Sequence, residues 1–160
     1  MLLTSELLAR KDYKRAAESA AEERAILPEY SEVWIQSAQV AMERSLSYAL
    51  QRQAFGRHIG EFQGVGFKVA EMAARIEAAR LMIYSAARSH LAGADAAAGA
   101  SMGKFLAADA VTYAVREAVT IHGGYGYMEE SGLPRLYRDA PESYIGEGTP
   151  LVVIAGKEYG

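Results

Sequence analysis

The chain has 160 residues, of which 51% are hydrophobic, and a formal net charge of -3. This length suffices for one domain with a hydrophobic core, and the lack of a basic excess argues against nucleic acid as the main partner. Cysteine is absent, which excludes disulfides and thiolate-bound metals and fits a cytoplasmic protein. No apolar run approaches the roughly 20 residues that cross a bilayer, and the N-terminus lacks the pattern of a signal peptide.

The chain-order pattern predicts an all-α protein. Helices are predicted at about 3–26, 31–53, 61–91, 96–121, 133–140 and 150–158. Pro28 is interpreted as a break after the first helix, and the run 151–154 as a short buried helix, although a strand is the alternative. Long helices with short connections favour antiparallel neighbours. The pattern therefore predicts an antiparallel four-helix bundle preceded by a short helical hairpin.

The segment 61–91 has the clearest helical period. Its apolar residues recur every three or four positions and form one seam, suited to packing against neighbouring helices. The members of this seam are Phe62, Val65, Val69, Met72, Ile76, Ala79, Ile83 and Ala86. A similar stripe is predicted on the next helix, at Phe105, Ala108, Thr112, Val115 and Val119.

The N-terminal part differs in character and divides the chain into an extension at 1–30 and a bundle at 31–160. Residues at about 5–40 resemble a tetratricopeptide repeat, about one unit and the start of a second. One repeat cannot bury its own apolar face. An amphipathic hairpin that caps the bundle is therefore favoured over a peptide-binding repeat array.

Two loops carry residues suited to a phosphate-containing ligand. In the first, Arg52 can fork onto phosphate oxygens, and Phe55 with Gly56 provides an aromatic wall and a tight turn. A helix end with a surface arginine is the alternative. The second loop follows a long helix and has three glycines in four residues, at 123, 124 and 126, which would let a ligand approach the backbone. A helix end followed by a turn is the alternative.

The remaining polar residues give weaker signals. His122 alone is more often a packed histidine than a ligand or base, and the three histidines of the chain show no metal-ligand spacing. Asp139 and Glu142 form no metal-binding cluster, so no metal is predicted. Arg138 and Asp139 are interpreted as a structural ion pair or a helix cap.

One carboxylate, Glu147, stands between Gly146 and Gly148. Glycine on either side gives a substrate close access, which makes Glu147 a candidate general base. A plain turn is the alternative at this point.

The order of these pieces is more specific than any one of them. Arg52-x-x-Phe55-Gly56, Phe62-Gln63, 121–126, Tyr137-Arg138-Asp139-Ala140 and Glu147-Gly148-Thr149 together resemble the C-terminal domain of the acyl-CoA dehydrogenase family, over about residues 33–155. The resemblance implies a helical bundle from an enzyme that usually forms homotetramers. With FAD, such enzymes oxidise the Cα–Cβ bond of an acyl-CoA thioester, and they serve fatty acid metabolism.

The resemblance also implies roles for single residues. Glu147 falls on the position of the base that removes the Cα proton, and Gly148 would flank the thioester. Thr149 would touch the flavin or its phosphates. The residues that would contact FAD bound mainly to a neighbouring subunit are Arg52, Phe55, Gln63, Gly123 and Gly124.

The sequence departs from the family pattern at Ala54, His58 and Thr120, which alters polar contacts to FAD, and after Thr149. Gly146 stands where many members place tyrosine, and a larger pocket is expected there. Nothing in the sequence resembles the family's β-domain, which holds the flavin ring. The leading hypothesis is therefore a dehydrogenase domain that is catalytic with a partner chain. The alternative is a non-catalytic helical module for interaction or oligomerisation.

Overall fold

The computed structural model of the protein describes residues 28–146. The predicted helices at about 3–26 and 150–158 lie outside the described residues, as does the segment that carries Glu147, Gly148 and Thr149. The repeat-like hairpin also falls almost entirely outside them. These predictions stay predictions.

The described residues form an antiparallel helical bundle, as predicted. Its helices are α1 (Pro28–Gln51), α2 (Gln63–Leu91), α3 (Ala97–His122), α4 (Leu133–Asp139) and α5 (Glu142–Ile145). Two short strands, β1 (Gln53–Ala54) and β2 (Arg57–His58), pair antiparallel between α1 and α2. Short 3-10 turns occupy Ile59–Glu61, Gly123–Tyr127 and Glu129–Ser131. The all-α class is confirmed, and the small ribbon is an addition that the sequence pattern did not indicate.

The start of α1 differs from the predicted boundary. Pro28 is the first residue of the helix, three positions before the predicted start at 31. Proline suits this position because the missing N–H has no acceptor in the first turn and its fixed φ matches the helix. Pro28, interpreted from the sequence as a break between two helices, is therefore the first residue of α1.

The core lies where α3 packs against both α1 and α2. Met72 of α2, Ile35 of α1 and Leu133 of α4 are fully buried there. Each such side chain contributes about 1.5–3 kcal/mol by leaving water. Small residues let the helices approach closely: a Cβ added to Gly103 would lie 2.9 Å from Ile83 Cγ1. The seam predicted on α2 is confirmed by the buried set Met72, Ile76, Ala79, Ile83 and Ala86.

Polar pairs fix α2 against α3. Lys68 pairs with the buried carboxylate of Glu117. Arg75 bridges Glu71 on its own helix, at 2.8 Å, to Asp109 on α3. Because the two pairs join α2 to α3 two turns apart, they help to set the register of the two helices. None of the helices within 28–146 is long and apolar enough to cross a membrane.

Candidate functional site

The two candidate loops meet at one end of the bundle, here called the loop end, formed by residues 52–63 and 122–127. The helices α1 and α3 run parallel, with antiparallel α2 between them in sequence, so both of their C-termini reach this end. The Tyr48 ring stacks on His122 with centroids 4.3 Å apart and on Tyr125 at 5.9 Å. This aromatic stack joins the last turn of α1 to the end of α3.

The ribbon projects from the loop end through a two-residue turn, Phe55-Gly56. Both residues have positive φ, 52° and 81°, as in the primed turns that connect two-residue hairpins. A left-handed conformation costs a residue with a Cβ about 1–2 kcal/mol. The Phe55 side chain is nevertheless 96% exposed, and its ring meets that of Phe62 in an edge-to-face arrangement with centroids 6.3 Å apart. A strained and exposed aromatic residue makes Phe55 a candidate functional position.

Arg52 and Gln63 flank the ribbon on its two sides, and both side chains are exposed. The Arg52 backbone is well held: its N–H donates to Tyr48 O at 2.8 Å, and its carbonyl accepts from the Ile59 N–H at 2.9 Å. Its guanidinium has no ion-pair partner among residues 28–146. The loop end therefore presents an exposed guanidinium on a well-held backbone, three residues before the exposed ring of Phe55.

The glycines of the second loop have two different roles. Gly123 ends α3 with φ 59°, and neither it nor Gly124 has any atom within 4 Å of an added Cβ, so their backbone is open to a ligand. Gly126 is buried, and an added Cβ would lie 2.8 Å from Val119 O and 2.9 Å from His122 Cβ. The expectation that all three glycines are accessible is therefore wrong for Gly126, because the turn folds back onto α3.

His122 is a packed residue, as the sequence favoured. It is buried, and its Nδ1 lies 2.8 Å from the carbonyl oxygen of Ala118 one turn earlier. Burial lowers the pKa of His122, and the contact with Ala118 O opposes this only in part. The ring is therefore neutral at pH 7 and serves the aromatic stack. Nowhere in 28–146 do three histidine or acidic side chains gather in a way that could hold a metal.

The segment that leads to Glu147 is fixed to a different part of α3. α5 ends at Ile145, and the carbonyl of Gly146 accepts a hydrogen bond from Lys104 Nζ at 2.6 Å. The Lys104 residue is buried, with 7% of its surface exposed. Sequence reasoning missed Lys104, although its spacing from Ala108, Val111 and Val115 places it on the buried stripe of α3, where a lysine needs a partner.

The space beside Gly146 is not open in the direction of a side chain. A Cβ added there would lie 2.6 Å from Glu142 Oε1 and 3.0 Å from the Glu142 carbonyl oxygen. The Glu142 carboxylate therefore occupies the space in which a larger pocket was expected. Glu142 also borders a cleft of about 380 Å³ between α1, α3 and the α4–α5 segment. The cleft is lined by Val33, Trp34, Ser37, Val111, Leu136, Arg138, Asp139 and Glu142.

The two residues of the Arg-Asp motif make ion pairs, but not with each other. Arg138 pairs with Glu129 at 2.7 Å, and Asp139 lies 3.8 Å from Arg135. The pair with Arg138 lowers the pKa of Glu129. The structural interpretation of this motif is therefore confirmed with different partners.

The structure brings Arg52, Phe55, Gln63, Gly123 and Gly124 together at the loop end and separates them from Gly146. Lys104 and Gly123 stand at two positions of one straight helix, about 28 Å apart at about 1.5 Å per residue. A lysine side chain is too short to close that distance. Within one chain, the loop end and the segment before Glu147 are therefore two separate regions.

Comparisons with known proteins agree with this architecture. The family model for "Acyl-CoA dehydrogenase, C-terminal domain" matches residues 28–154. An acyl-CoA dehydrogenase of Bacillus subtilis is 48% identical over 112 residues, which cover 70% of this chain and 30% of that protein. The structure of butyryl-CoA dehydrogenase from Megasphaera elsdenii has a TM-score of 0.80 at 33% identity, over 91% of this chain and 38% of that one.

A further similar structure, PigA with FAD and proline, has a TM-score of 0.80 at 32% identity and covers 89% of this chain and 37% of that one. The chain thus spans 30% of the Bacillus subtilis protein and 38% of the Megasphaera elsdenii chain. The match extends over α1 to α5 and reaches past Glu147. On this basis the chain belongs to the acyl-CoA dehydrogenase family, to whose C-terminal domain it corresponds.

Proposed function

We propose that this chain provides the C-terminal helical domain of a FAD-dependent acyl-CoA dehydrogenase and that Glu147 removes the Cα proton of an acyl-CoA thioester. The carrying observation is the anchored segment before Glu147: buried Lys104 holds the Gly146 carbonyl at 2.6 Å. A thioester acidifies its Cα proton only modestly. The base must therefore be held close to it, in a site that excludes water.

Residues of the loop end are suited to the FAD of this reaction. Arg52 offers an exposed guanidinium for phosphate oxygens, and Phe55 offers an exposed ring. Gly123 and Gly124 offer backbone that no side chain covers. Gln63, exposed at the first turn of α2, would lie beside the same cofactor. FAD, when bound, accepts the hydride that leaves Cβ.

A second polypeptide completes the site in this proposal. The loop end lies about 28 Å along α3 from Lys104, so the two regions of one chain serve different active sites. The chain would supply Glu147, Gly148 and Thr149 to one site and the loop end to the FAD of a neighbouring subunit. The assembly is a homo-oligomer or hetero-oligomer that includes a flavin-holding β-domain. A cytoplasmic location remains a prediction from the sequence.

Co-expression with a candidate flavin-binding partner tests this function. The complex is expected to oxidise an acyl-CoA with an artificial electron acceptor, and Glu147→Gln to lower kcat by about 10²–10⁴-fold, the usual contribution of a general base. Glu142→Gln is the matched control, because it removes a carboxylate five residues away that contacts Gly146. Unchanged activity of Glu147→Gln in an active complex would refute the assignment.

A non-catalytic interaction module is the second candidate. The outer face of α2 exposes large apolar side chains: Phe67 is 64%, Leu81 56%, Tyr84 47% and Leu91 85% exposed. Such a stripe suits association with another helical surface. Light scattering with flavin absorbance separates the candidates. An oligomer that takes up no FAD with any candidate partner would favour the module, and a colourless monomer would count against both.

A further inference from the structure

Lys104 is an unusual residue for its position. It stands in the second turn of α3 on the face that carries the fully buried Ala107 and Ala108, and only 7% of its surface is exposed. A buried ammonium is costly unless hydrogen bonds replace its water. One replacement is the Gly146 carbonyl at 2.6 Å, a short hydrogen bond of the charge-assisted kind.

Gly146 is the place where the chain needs such an anchor. α5 has only four residues and ends at Ile145, and Gly146 leaves it in an extended conformation with φ -61° and ψ 133°. Glycine there gives the backbone more rotational freedom than any other residue would. A hydrogen bond to its carbonyl fixes the orientation of the next peptide unit, which carries residue 147.

A second contact on the same stretch of α3 holds this segment. The Asp109 carboxylate meets the Tyr144 hydroxyl, and the pKa of Tyr144 is raised chiefly by burial and further by Asp109. Lys104 and Asp109 thus hold residues 146 and 144 from adjacent turns of one helix. The two contacts differ in charge: Asp109 is an acid, whereas Lys104 carries a positive charge and binds the residue directly before position 147.

We infer that Lys104 is a positioning residue for the proposed base: its ammonium holds the Gly146 carbonyl and places a positive charge beside position 147. The inference rests on the proposed role of Glu147. Residue 147 is joined to Gly146 by one peptide bond, so covalent geometry keeps its Cα within about 6 Å of Lys104 Nζ. At that range a positive charge favours an ionised partner by about one pKa unit.

The absence of cysteine provides a direct test. The variant Glu147→Cys carries a single thiol in the full chain, and its pKa is measured from the pH dependence of its reaction with iodoacetamide. We expect this pKa to lie about one unit lower than in the double variant Glu147→Cys with Lys104→Met. At pH 7 the reaction with Lys104 present is about threefold faster, because a tenfold gain in thiolate is partly offset by weaker nucleophilicity.

Two matched variants control for a general effect of losing a lysine. Lys104→Arg keeps the charge and is expected to keep the lowered thiol pKa. Lys68→Met removes a lysine ammonium at a distant position and is expected to leave the thiol pKa unchanged. Lys68 pairs with Glu117, which lies about 20 Å along α3 from Lys104. A thiol pKa that is the same with Lys104 and with Lys104→Met overturns the inference.

A second substitution covers the case in which Lys104→Met does not fold. Lys104→Gln keeps a side-chain N–H that can donate to the Gly146 carbonyl but removes the charge, and the thiol pKa of Glu147→Cys is expected to rise by about one unit with it. A thiol pKa that is the same with Lys104 and with Lys104→Gln overturns the inference. Neither measurement requires oxidation of an acyl-CoA, so a failed thiol test leaves the Glu147→Gln assay to decide the proposed function separately.

Discussion

Gly126→Ala is expected to destabilise the protein strongly, although it adds one methyl group in a glycine-rich loop. The new Cβ would lie 2.8 Å from Val119 O and 3.0 Å from Val119 Cα. Ordinary contacts begin at about 3.4 Å, so atoms must move by about half an ångström. Because both of these atoms belong to the backbone of α3, the last turn of that helix must shift. Overpacking of this kind costs about 1–3 kcal/mol, and we expect about 2 kcal/mol.

Urea unfolding followed by helical circular dichroism measures this loss. A destabilisation of about 2 kcal/mol corresponds to a fall in Tm of about 4–8 °C for a chain of this size. Gly124→Ala is the matched control, because its Cβ would meet nothing within 4 Å, and its free energy of unfolding should change by less than about 0.5 kcal/mol. Equal effects of the two substitutions would refute the packing argument for the end of α3.

Three further predictions concern stability. Because burial lowers the pKa of His122 below its ordinary 6.5, the unfolded chain binds a proton more readily. The contribution of His122 to stability should be complete above about pH 6.5, and the free energy of unfolding should fall on acidification by at most about 1.4 kcal/mol per pH unit. The urea midpoint should therefore be lower at about pH 5.5 than at about pH 7.5. His122→Asn should reduce this difference, and His90→Asn should not. Phe55→Gly should raise the free energy of unfolding by about 1 kcal/mol by relieving the left-handed turn, while weakening FAD retention in an active complex; unchanged retention would count against its proposed contact. Met72→Ala should cost about 2–5 kcal/mol in urea unfolding, since the side chain is fully buried, and a loss under 1 kcal/mol would contradict its place in the core.

The long helices could be predicted because their apolar residues keep a helical period. The seam of α2 is read from the order of its residues alone; its members from Met72 to Ala86 are buried as expected, and Phe62, Val65 and Val69 are half-buried. The start of α1 was missed because proline interrupts a helix in most positions but begins one without cost. The ribbon was missed because β1 and β2 have two residues each, too few to display an alternating pattern.

The candidate site shows a different limit of the sequence. Gly123, Gly124 and Gly126 are indistinguishable as letters, and only the path of the turn over α3 decides which of them stay open. Lys104 was missed because its partner is a backbone carbonyl 42 residues away, which no motif encodes. The position of Lys104 on the apolar stripe of α3 did indicate a buried lysine that needs a partner. Residue identity thus indicated which loops carry open glycine backbone better than it indicated which contacts hold the segment before Glu147.

The parallel course of α1 and α3 has an electrostatic consequence for the loop end. Two helix C-termini and one N-terminus meet there, and each terminus carries about half a unit charge, negative at the C-terminal end. The backbone field at this end is therefore net negative and would repel a pyrophosphate. The exposed guanidinium groups of Arg52 and Arg57 reverse that sign. Anion binding here should accordingly weaken with rising ionic strength, because it depends on solvent-facing side chains that salt screens.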